Sequence, residues 1–280
     1  MGGGCRVQSR SSYFAATVVL LVVGVASAGD LQTTFEVTAA YTTISYSDSS
    51  DWGWWNPGKY DDWQTGEDKE LGLAEARLVL SDPTYSVFLN FERYPTLEAA
   101  GSSTDGETGD EIFHELTTEF EAYDLALAQW FGDEAGLGVM PSVGVTYMRI
   151  NETREVHIPI GSVGGYSDQA ASRLWGVLLG ADWGARLAPR LSLSGRVVLR
   201  WGWGDRKATI STVGPGPWEP VVEAQLSDSV SRAMWGADLG VRWGATRHFQ
   251  LEGGWRYRDW QYDDGPASFN GPYLRFVVVW

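Results

Sequence analysis

Apolar and polar residues alternate with a period of two along most of the chain after residue 28. Between Leu31 and Thr42, for example, odd positions such as Phe35 are mostly apolar, and even positions such as Glu36 are mostly polar. A period of two is that of a β-strand whose two faces meet different surroundings. The pattern therefore predicts a series of strands, each with one apolar and one polar face.

The strands are separated alternately by short turns and by long polar loops. Ser81-Asp82-Pro83-Thr84 has the composition of a tight turn. The interruptions on the other side are rich in polar residues, and they are Ser45–Asp68, Pro95–Glu111, Asn151–Ala170, Asp205–Ser229 and the shorter Asp263–Ser268. This layout gives about ten strands, with eight to twelve possible.

Such sidedness is typical of transmembrane β-barrels, which have short periplasmic turns and longer extracellular loops. A soluble β-sandwich fits less well, because its turn signals recur every ~8–12 residues without a sided alternation. We therefore predict an all-β fold, a single antiparallel transmembrane β-barrel with short periplasmic turns and long extracellular loops. The predicted location is the cell outer membrane.

Tryptophans support a lipid-facing outer wall. The chain has 15 of them, and several share the apolar face of a predicted strand. Trp175 and Trp183 are eight residues apart, a spacing of about 20 Å along the membrane normal for a tilted strand. The predicted aromatic girdle at the membrane interfaces is Trp175, Trp183, Trp201, Trp203, Trp235, Trp243 and Trp255. A soluble barrel with a tryptophan core is the alternative, but charges on the opposite faces argue against it.

The opposite faces of the same strands carry charged residues, which a membrane barrel would turn into its lumen. Acids predominate in the early strands and arginines in the later ones. The predicted ion-pair network comprises Glu36, Glu75, Arg77, Glu92, Asp182, Arg186, Arg196, Arg200, Arg232, Asp238, Arg242, Glu252, Arg256, Arg258 and Arg275. Because a ten-stranded barrel is narrow, we expect these side chains to pair and fill it.

A narrow selective conduit, similar to a porin, is the alternative interpretation of this lumen. It is supported by glycines that would thin the inner wall, namely Gly176, Gly180, Gly184, Gly202, Gly236, Gly240 and Gly254. An open lumen would favour the conduit, and a filled lumen would favour a structural network.

Residues 1–28 have the pattern of a cleaved signal peptide, and residues 29–280 form the predicted barrel domain. Arg6 and Arg10 precede the apolar stretch Tyr13 to Val25, and Ala26-Ser27-Ala28 has the small residues of a cleavage site. A single transmembrane anchor is the alternative, but the apolar run is short for that role. Cys5 precedes the apolar run, so lipidation is not expected, and the predicted mature chain has no cysteine.

The charge of the chain bears on its partners. The formal net charge is −15, and removal of Arg6 and Arg10 with the signal peptide leaves 19 bases against 36 acids, a net −17. We expect no nucleic-acid partner, because phosphate binding needs a clustered positive surface. No zinc pattern, phosphate loop or EF-hand spacing is present, so no cofactor or metal is predicted.

Two enzymatic alternatives concern the three histidines. Ten-stranded omptin proteases use an acidic pair and an Asp-x-His pair, but neither His114 nor His157 has an aspartate two residues before it, and His248 lies at a periplasmic turn. A lipid A hydrolase could use His114 with Glu111 or Glu115. A histidine beside glutamates at a solvated strand end is more commonly a surface group, so we expect no enzyme.

The segment Leu251–Trp280 resembles the closing hairpin of small proteobacterial outer-membrane β-barrel proteins. It contains Trp255-Arg256-Tyr257-Arg258-Asp259, then Asp264-Gly265, then Gly271-Pro272-Tyr273-Leu274-Arg275-Phe276. The resemblance implies the barrel fold and the outer membrane, and most such proteins have no assigned activity. The chain departs from the pattern at its last residue, which is Trp280 instead of Phe.

The last strand has an outward apolar row ending in an aromatic residue, which resembles the signal that the barrel-assembly machinery reads. That row is Leu274, Phe276, Val278 and Trp280. The expected partners are this machinery, outer-membrane lipids and lipopolysaccharide. The predicted function is that of a non-enzymatic barrel with a charge-filled lumen, contributing to envelope structure or to surface contact. Trp-rich loop segments such as 51–56 have a composition suited to sugars, proteins or Ca²⁺.

Overall fold

The computed structural model describes residues 32–41, 43–46, 71–82, 85–104, 111–132, 136–158, 164–213, 222–262 and 265–280. The predicted signal peptide and the Trp-rich segment 47–70 lie outside these ranges. In the described part, all regular elements are β-strands. No helix in that part is long and apolar enough to cross a membrane.

Ten antiparallel strands follow one another along the chain. The first, β1, is Gln32–Tyr41 and continues in Thr43–Tyr46, and the fourth, β4, is Glu111–Gln129 and continues in Phe131–Gly132. The others are β2 Leu71–Ser81, β3 Tyr85–Thr104, β5 Leu137–Ile158, β6 Gly164–Ala188, β7 Leu191–Val213, β8 Val222–Gly244, β9 Phe249–Tyr262 and β10 Gly265–Val279.

Each strand pairs with its neighbours in sequence, and the last strand pairs with the first. Thr34 to Ala40 of β1 run antiparallel to Val279 to Tyr273 of β10. Beyond them, the backbones of Thr33 and Trp280 exchange two hydrogen bonds, at 3.3 and 2.9 Å between N and O. The sheet is therefore a closed ten-stranded barrel without a free edge along this seam, which confirms the predicted fold class.

Local side chains stabilise the short turns. Asp82 Oδ1 accepts a hydrogen bond from the backbone N–H of Tyr85 at 2.6 Å, and Thr246 Oγ1 accepts from those of His248 and Phe249 at 3.2 and 3.0 Å. Gly136 has a φ of 90°, a conformation that favours glycine, at the turn before β5. These contacts explain why short turns recur at one end of the barrel.

The strands at the other end are longer than the sequence predicted. Much of Pro95–Glu111, Asn151–Ala170 and Asp205–Ser229, predicted as loops, is β-strand. The strand β6 has 25 residues, whereas about 9–11 suffice to span a bilayer. In these extensions the outward positions are polar, as at Lys207 and Ser227, so the hydrophobic alternation stops before the strand does. The prediction of long loops was therefore wrong in extent.

Candidate functional site: the barrel lumen

The alternation of side chains decides which residues line the lumen. Odd positions of β6 and β7, such as Trp175 and Trp201, are exposed on the outer wall at 64% and 56% of their surface. Even positions on the same strands point inward, and Arg200 is only 1% exposed. Since neighbouring strands repeat this arrangement, charged side chains from both halves of the chain meet inside the barrel.

Arg196 of β7 binds carboxylates from three other strands. Its Nε donates to Asp182 on β6, and its two terminal nitrogens donate to Glu75 on β2 and to Glu36 on β1, the last at 2.8 Å. Asp182 also accepts two hydrogen bonds from Arg77 of β2, at 3.1 and 2.8 Å. The planar guanidinium thus bridges carboxylates that lie far apart in sequence.

A second group surrounds Asp238 of β8. Arg256 of β9 donates to both oxygens of Asp238, at 3.0 and 2.9 Å, and also to Glu75. Arg275 of β10 donates to Asp238 at 2.7 Å and to Glu252 of β9 at 2.6 Å. Because Glu75 contacts both Arg196 and Arg256, the two groups form one network.

Arg200 and Arg258 extend the network across the lumen to β3 and β4. Arg258 donates from Nε to Glu92 at 2.8 Å and from a terminal nitrogen to Asp238 at 2.7 Å. Arg200 contacts Glu92 at 2.7 Å and Asp124 at 2.6 Å. Asp124 also accepts a hydrogen bond from the Thr146 hydroxyl at 2.7 Å, so its oxygens have several donors.

Among the described residues, the ion pairs of this lumen network join seven carboxylates to seven arginines. They are Glu36, Glu75, Glu92, Asp124, Asp182, Asp238, Glu252, Arg77, Arg196, Arg200, Arg242, Arg256, Arg258 and Arg275. The charges balance, and most of these side chains are buried. A buried set of charges is tolerable only when it is paired and hydrogen-bonded in this way.

Of the arginines predicted for the network, Arg186 lies elsewhere, whereas Arg232 does line the lumen. Arg186 is exposed, and its side chain packs against Gly136 at the periplasmic turn, so its placement in the lumen network is corrected. Alternation gives the face of a residue but not its depth in the barrel. Arg186 lies so close to the end of β6 that its side chain does not reach the buried ion pairs. Arg232 is buried on the inner wall of β8, two residues before Met234 of the apolar layer described next.

An aromatic layer covers the charged network towards the extracellular end. Tyr94, Phe120, Trp260 and Phe269 come from β3, β4, β9 and β10, and their ring centroids are 4.2 to 5.7 Å apart. Other members of this buried cluster are Ala122, Met148, Ile150, Leu174, Val230 and Met234. The Tyr94 hydroxyl donates to Glu92 at 2.6 Å and so joins the two layers. The inward, aromatic positions of these strands were the signal that the sequence interpretation missed.

The glycines of the inner wall make room for side chains that fill the lumen. A Cβ on Gly236 would meet the side chain of Arg258, and one on Gly202 would meet the side chain of Met148 on β5. A cavity lined by Arg77, Glu92 and Arg200, among others, has a volume of about 20 Å³, roughly one water molecule. These observations oppose the interpretation in which glycines widen a conduit.

The predicted girdle residues lie at different depths along the outer wall. Trp175, Trp201, Trp203, Trp235 and Trp243 are exposed, whereas Trp183 is half-buried and packs over Gly195. Trp255 is exposed but pairs with Leu239, midway between Trp235 and Trp243 on β8. It therefore lies within the apolar wall, which corrects its placement at an interface.

On the last strand the outward and inward rows are as predicted from alternation. Leu274, Phe276 and Trp280 are exposed and Val278 is half-buried, whereas Tyr273 and Arg275 are buried. The outward row is apolar and continuous with the wall of β9. Its role as an assembly signal stays a prediction.

The described residues contain no group of three or more His, Cys, Asp or Glu that could hold a metal ion. His248 lies at the turn end of the barrel, where its Nδ1 is 2.9 Å from the backbone oxygen of Val279 and its Nε2 accepts from Arg247 at 2.8 Å. The side chains of His114 and His157 lie outside the described set. The backbone of His114 pairs with Gly101 and Val156 beyond the membrane wall.

A closed barrel with an apolar exposed wall and a charged buried interior is the reverse of a soluble protein. The wall suits hydrocarbon, and a closed barrel leaves no sheet edge in lipid. The chain is an outer-membrane β-barrel protein.

Solved structures with similar folds are the outer membrane protease OmpT from Escherichia coli, the Pseudomonas putida toluene transporter TodX and a major outer membrane protein from Thermus thermophilus. Their sequence identities to this chain are 10%, 9% and 12%, and their TM-scores are 0.48, 0.37 and 0.36. The alignments cover 90%, 92% and 89% of this chain, and 96%, 72% and 99% of the other chain. No protein-family model and no curated protein matches the sequence.

Proposed function

We propose that this protein is a closed, non-conducting and non-enzymatic barrel that anchors long extracellular hairpins in the outer membrane. Its contribution would be to envelope structure or to contacts at the cell surface. The observation that carries the proposal is the filled lumen. An ion-pair network and an aromatic layer lie one above the other along the barrel axis. Each includes residues from opposite sides of the barrel.

The ion-pair network opposes passage of ions. A permeating ion would have to separate Arg200 from Glu92 and Asp124, or Arg258 from Glu92 and Asp238. Breaking a buried pair leaves an uncompensated charge, which costs about 3–5 kcal/mol. Since Glu92 and Asp238 each contact three arginines, one local movement does not open the lumen.

The long hairpins support a role outside the membrane. On β6 and β7, the outer wall becomes polar beyond Trp175 and Trp203, and both strands continue for about ten residues, to Gly164 and Val213. At about 3.3 Å per residue and roughly 40° of tilt, such extensions reach about 25 Å beyond the aromatic residues. A sheet of that height presents a large paired surface to the cell exterior.

Single-channel recording in planar bilayers tests the closed lumen. We expect no stable conductance steps from the wild-type barrel, whereas a 16-stranded porin in the same bilayer shows that the assay detects pores. The variant E92S/D124S/R200S/R258S with W260A removes two carboxylates, two arginines and one aromatic ring, so it keeps the charge balance and should conduct. Stable steps from folded wild-type protein would refute the proposal.

A further inference from the structure

Five aromatic residues form a continuous row on the outer wall from β3 to β7. Phe91, Tyr123, Tyr147, Trp175 and Trp203 are direct cross-strand partners in that order. Ring centroids are 5.0 Å apart for the first pair, 6.2 Å for the second and 4.8 Å for the third. Aromatic residues concentrate where hydrocarbon meets headgroups, and the next outward positions beyond Tyr147 and Trp175 are polar, so these two residues lie near the outer interface.

A charged row lies two residues further out on the same strands. It consists of Arg93, Glu121, Arg149, Arg173 and Asp205, again as direct cross-strand partners. Two residues correspond to about 5 Å along the membrane normal at roughly 40° of tilt. Arg149 and Arg173, two residues beyond Tyr147 and Trp175, are therefore near the level of lipid headgroups in the outer leaflet.

Arg149 and Arg173 are adjacent in this row, directly opposite each other, and both are exposed. Like charges directly opposite each other on neighbouring strands are destabilising. Glu121, the neighbour of Arg149, directs its oxygens to Arg93 at 3.7 Å and to the Tyr123 hydroxyl at 3.4 Å. Within the described ranges, neither of the two adjacent guanidiniums has a carboxylate within 4.0 Å.

Two further residues complete the arrangement. Asn151 Oδ1 accepts a hydrogen bond from Arg149 Nε at 3.4 Å, which leaves the terminal nitrogens of Arg149 for another acceptor. Lys207 is exposed on the outer face of β7, two residues beyond Asp205, the cross-strand partner of Arg173. Three cations thus cluster at one place on the outer wall of a chain whose net charge is −15.

We propose that Arg149, Arg173 and Lys207 bind a phosphate group of the lipid A part of lipopolysaccharide. A phosphate between the two guanidiniums offsets their mutual repulsion and accepts paired hydrogen bonds from each. The acyl chains of the same lipid then pack on the aromatic row below, against Tyr147 and Trp175. The site lies on the outside of the wall, so it does not depend on whether the lumen is closed.

Native mass spectrometry of the folded protein in detergent, titrated with bisphosphorylated lipid A, tests this site. The variant R149Q/R173Q removes both guanidiniums, and R190Q/R247Q is the matched control, because it removes the same charge from exposed arginines at the periplasmic turns. Heat-modifiable mobility verifies that each variant is folded. We expect R149Q/R173Q to bind about tenfold more weakly or worse, as loss of charge-assisted hydrogen bonds implies, and the control to bind as wild type does.

Two other probes define the ligand. Dephosphorylated lipid A should bind weakly and equally to wild type and to R149Q/R173Q, because the lost group is the phosphate. Inorganic phosphate alone should bind wild type far more weakly than the lipid does, and equal binding would overturn the lipid assignment. Equal affinity of wild type and R149Q/R173Q for bisphosphorylated lipid A would overturn the site itself.

Discussion

Arg258 reaches across the lumen from β9 and donates from Nε to Glu92 of β3 at 2.8 Å, although the two residues are 166 positions apart in the chain. Both side chains are almost completely buried. The same carboxylate contacts Arg200 of β7 at 2.7 Å. The negative charge of Glu92 is therefore paired with arginines from two other strands, β9 and β7.

Replacing this carboxylate should destabilise the barrel strongly. In E92Q, a side chain of the same shape has no charge to balance Arg200 and Arg258, and we expect a loss of about 3 kcal/mol or more in the free energy of unfolding. Urea unfolding in lipid vesicles, followed by tryptophan fluorescence, measures this loss. The control E121Q removes a carboxylate that pairs with Arg93 on the outer wall and should change stability by less than about 1 kcal/mol. Similar losses in both variants would contradict a special role for the lumen network.

Gly236 should not tolerate even a methyl group. A Cβ at this position would meet Arg258, whose guanidinium is fixed by Glu92 and Asp238, so G236A should cost about 1–3 kcal/mol through overpacking. Gly244 on the same strand is the control, since its Cβ would meet only backbone oxygens at about 4 Å, those of Arg190 and Thr246. The urea midpoint should fall in G236A and stay near wild type in G244A. A reversed order of the two midpoints would rule out this packing.

The orientation of the barrel can be tested with single cysteines, since Cys5 is the chain's one cysteine and lies in the predicted signal peptide. Ser227 is exposed in the extension of β8, and Thr246 is exposed at a turn of the opposite end. With extracellular long hairpins, a membrane-impermeant maleimide should label S227C on intact cells but T246C only after the outer membrane is permeabilised. The opposite labelling pattern would invert the assigned orientation.

Deleting Trp280 should reduce the amount of assembled barrel several-fold. Its backbone forms two hydrogen bonds with Thr33 at the seam of β1 and β10, and its side chain is exposed at the end of the outward apolar row. The deletion removes both the seam contact and the terminal aromatic residue. Heat-modifiable mobility in outer-membrane fractions measures the folded protein, and W280F should remain near wild type. Equal amounts of folded protein with and without residue 280 would exclude this role.

Alternation along the sequence was sufficient to assign faces but not depths. It placed Arg275 and Glu252 inward and Phe276 outward, as the structure has them. It also placed Arg186 inward, but that residue is at the barrel end, where the lumen meets water. Depth depends on strand tilt and on the stagger between strands, which are properties of the closed sheet and not of one segment.

The partners of the lumen charges and the true strand ends could not be predicted from local sequence. Arg196 pairs with Glu36 only because β1 closes against β10, and nothing near either residue indicates the other. The extensions of β6 to β8 have polar residues outside the membrane, where hydrogen bonding between strands needs no apolar face. The aromatic layer is not evident from local sequence, because Phe120 and Trp260 are far apart in the chain and become neighbours only in the closed lumen.

The Arg196–Glu36 contact joins residues 160 positions apart in the chain, which affects how the chain reaches its native state. No hairpin of adjacent strands can satisfy its own inward charges, since Arg196 needs β1, β2 and β6 and Arg275 needs β8 and β9. A partly inserted sheet would carry unbalanced charges into the bilayer. Insertion, closure and charge neutralisation should therefore be a single cooperative event, and neither half of the chain should insert alone.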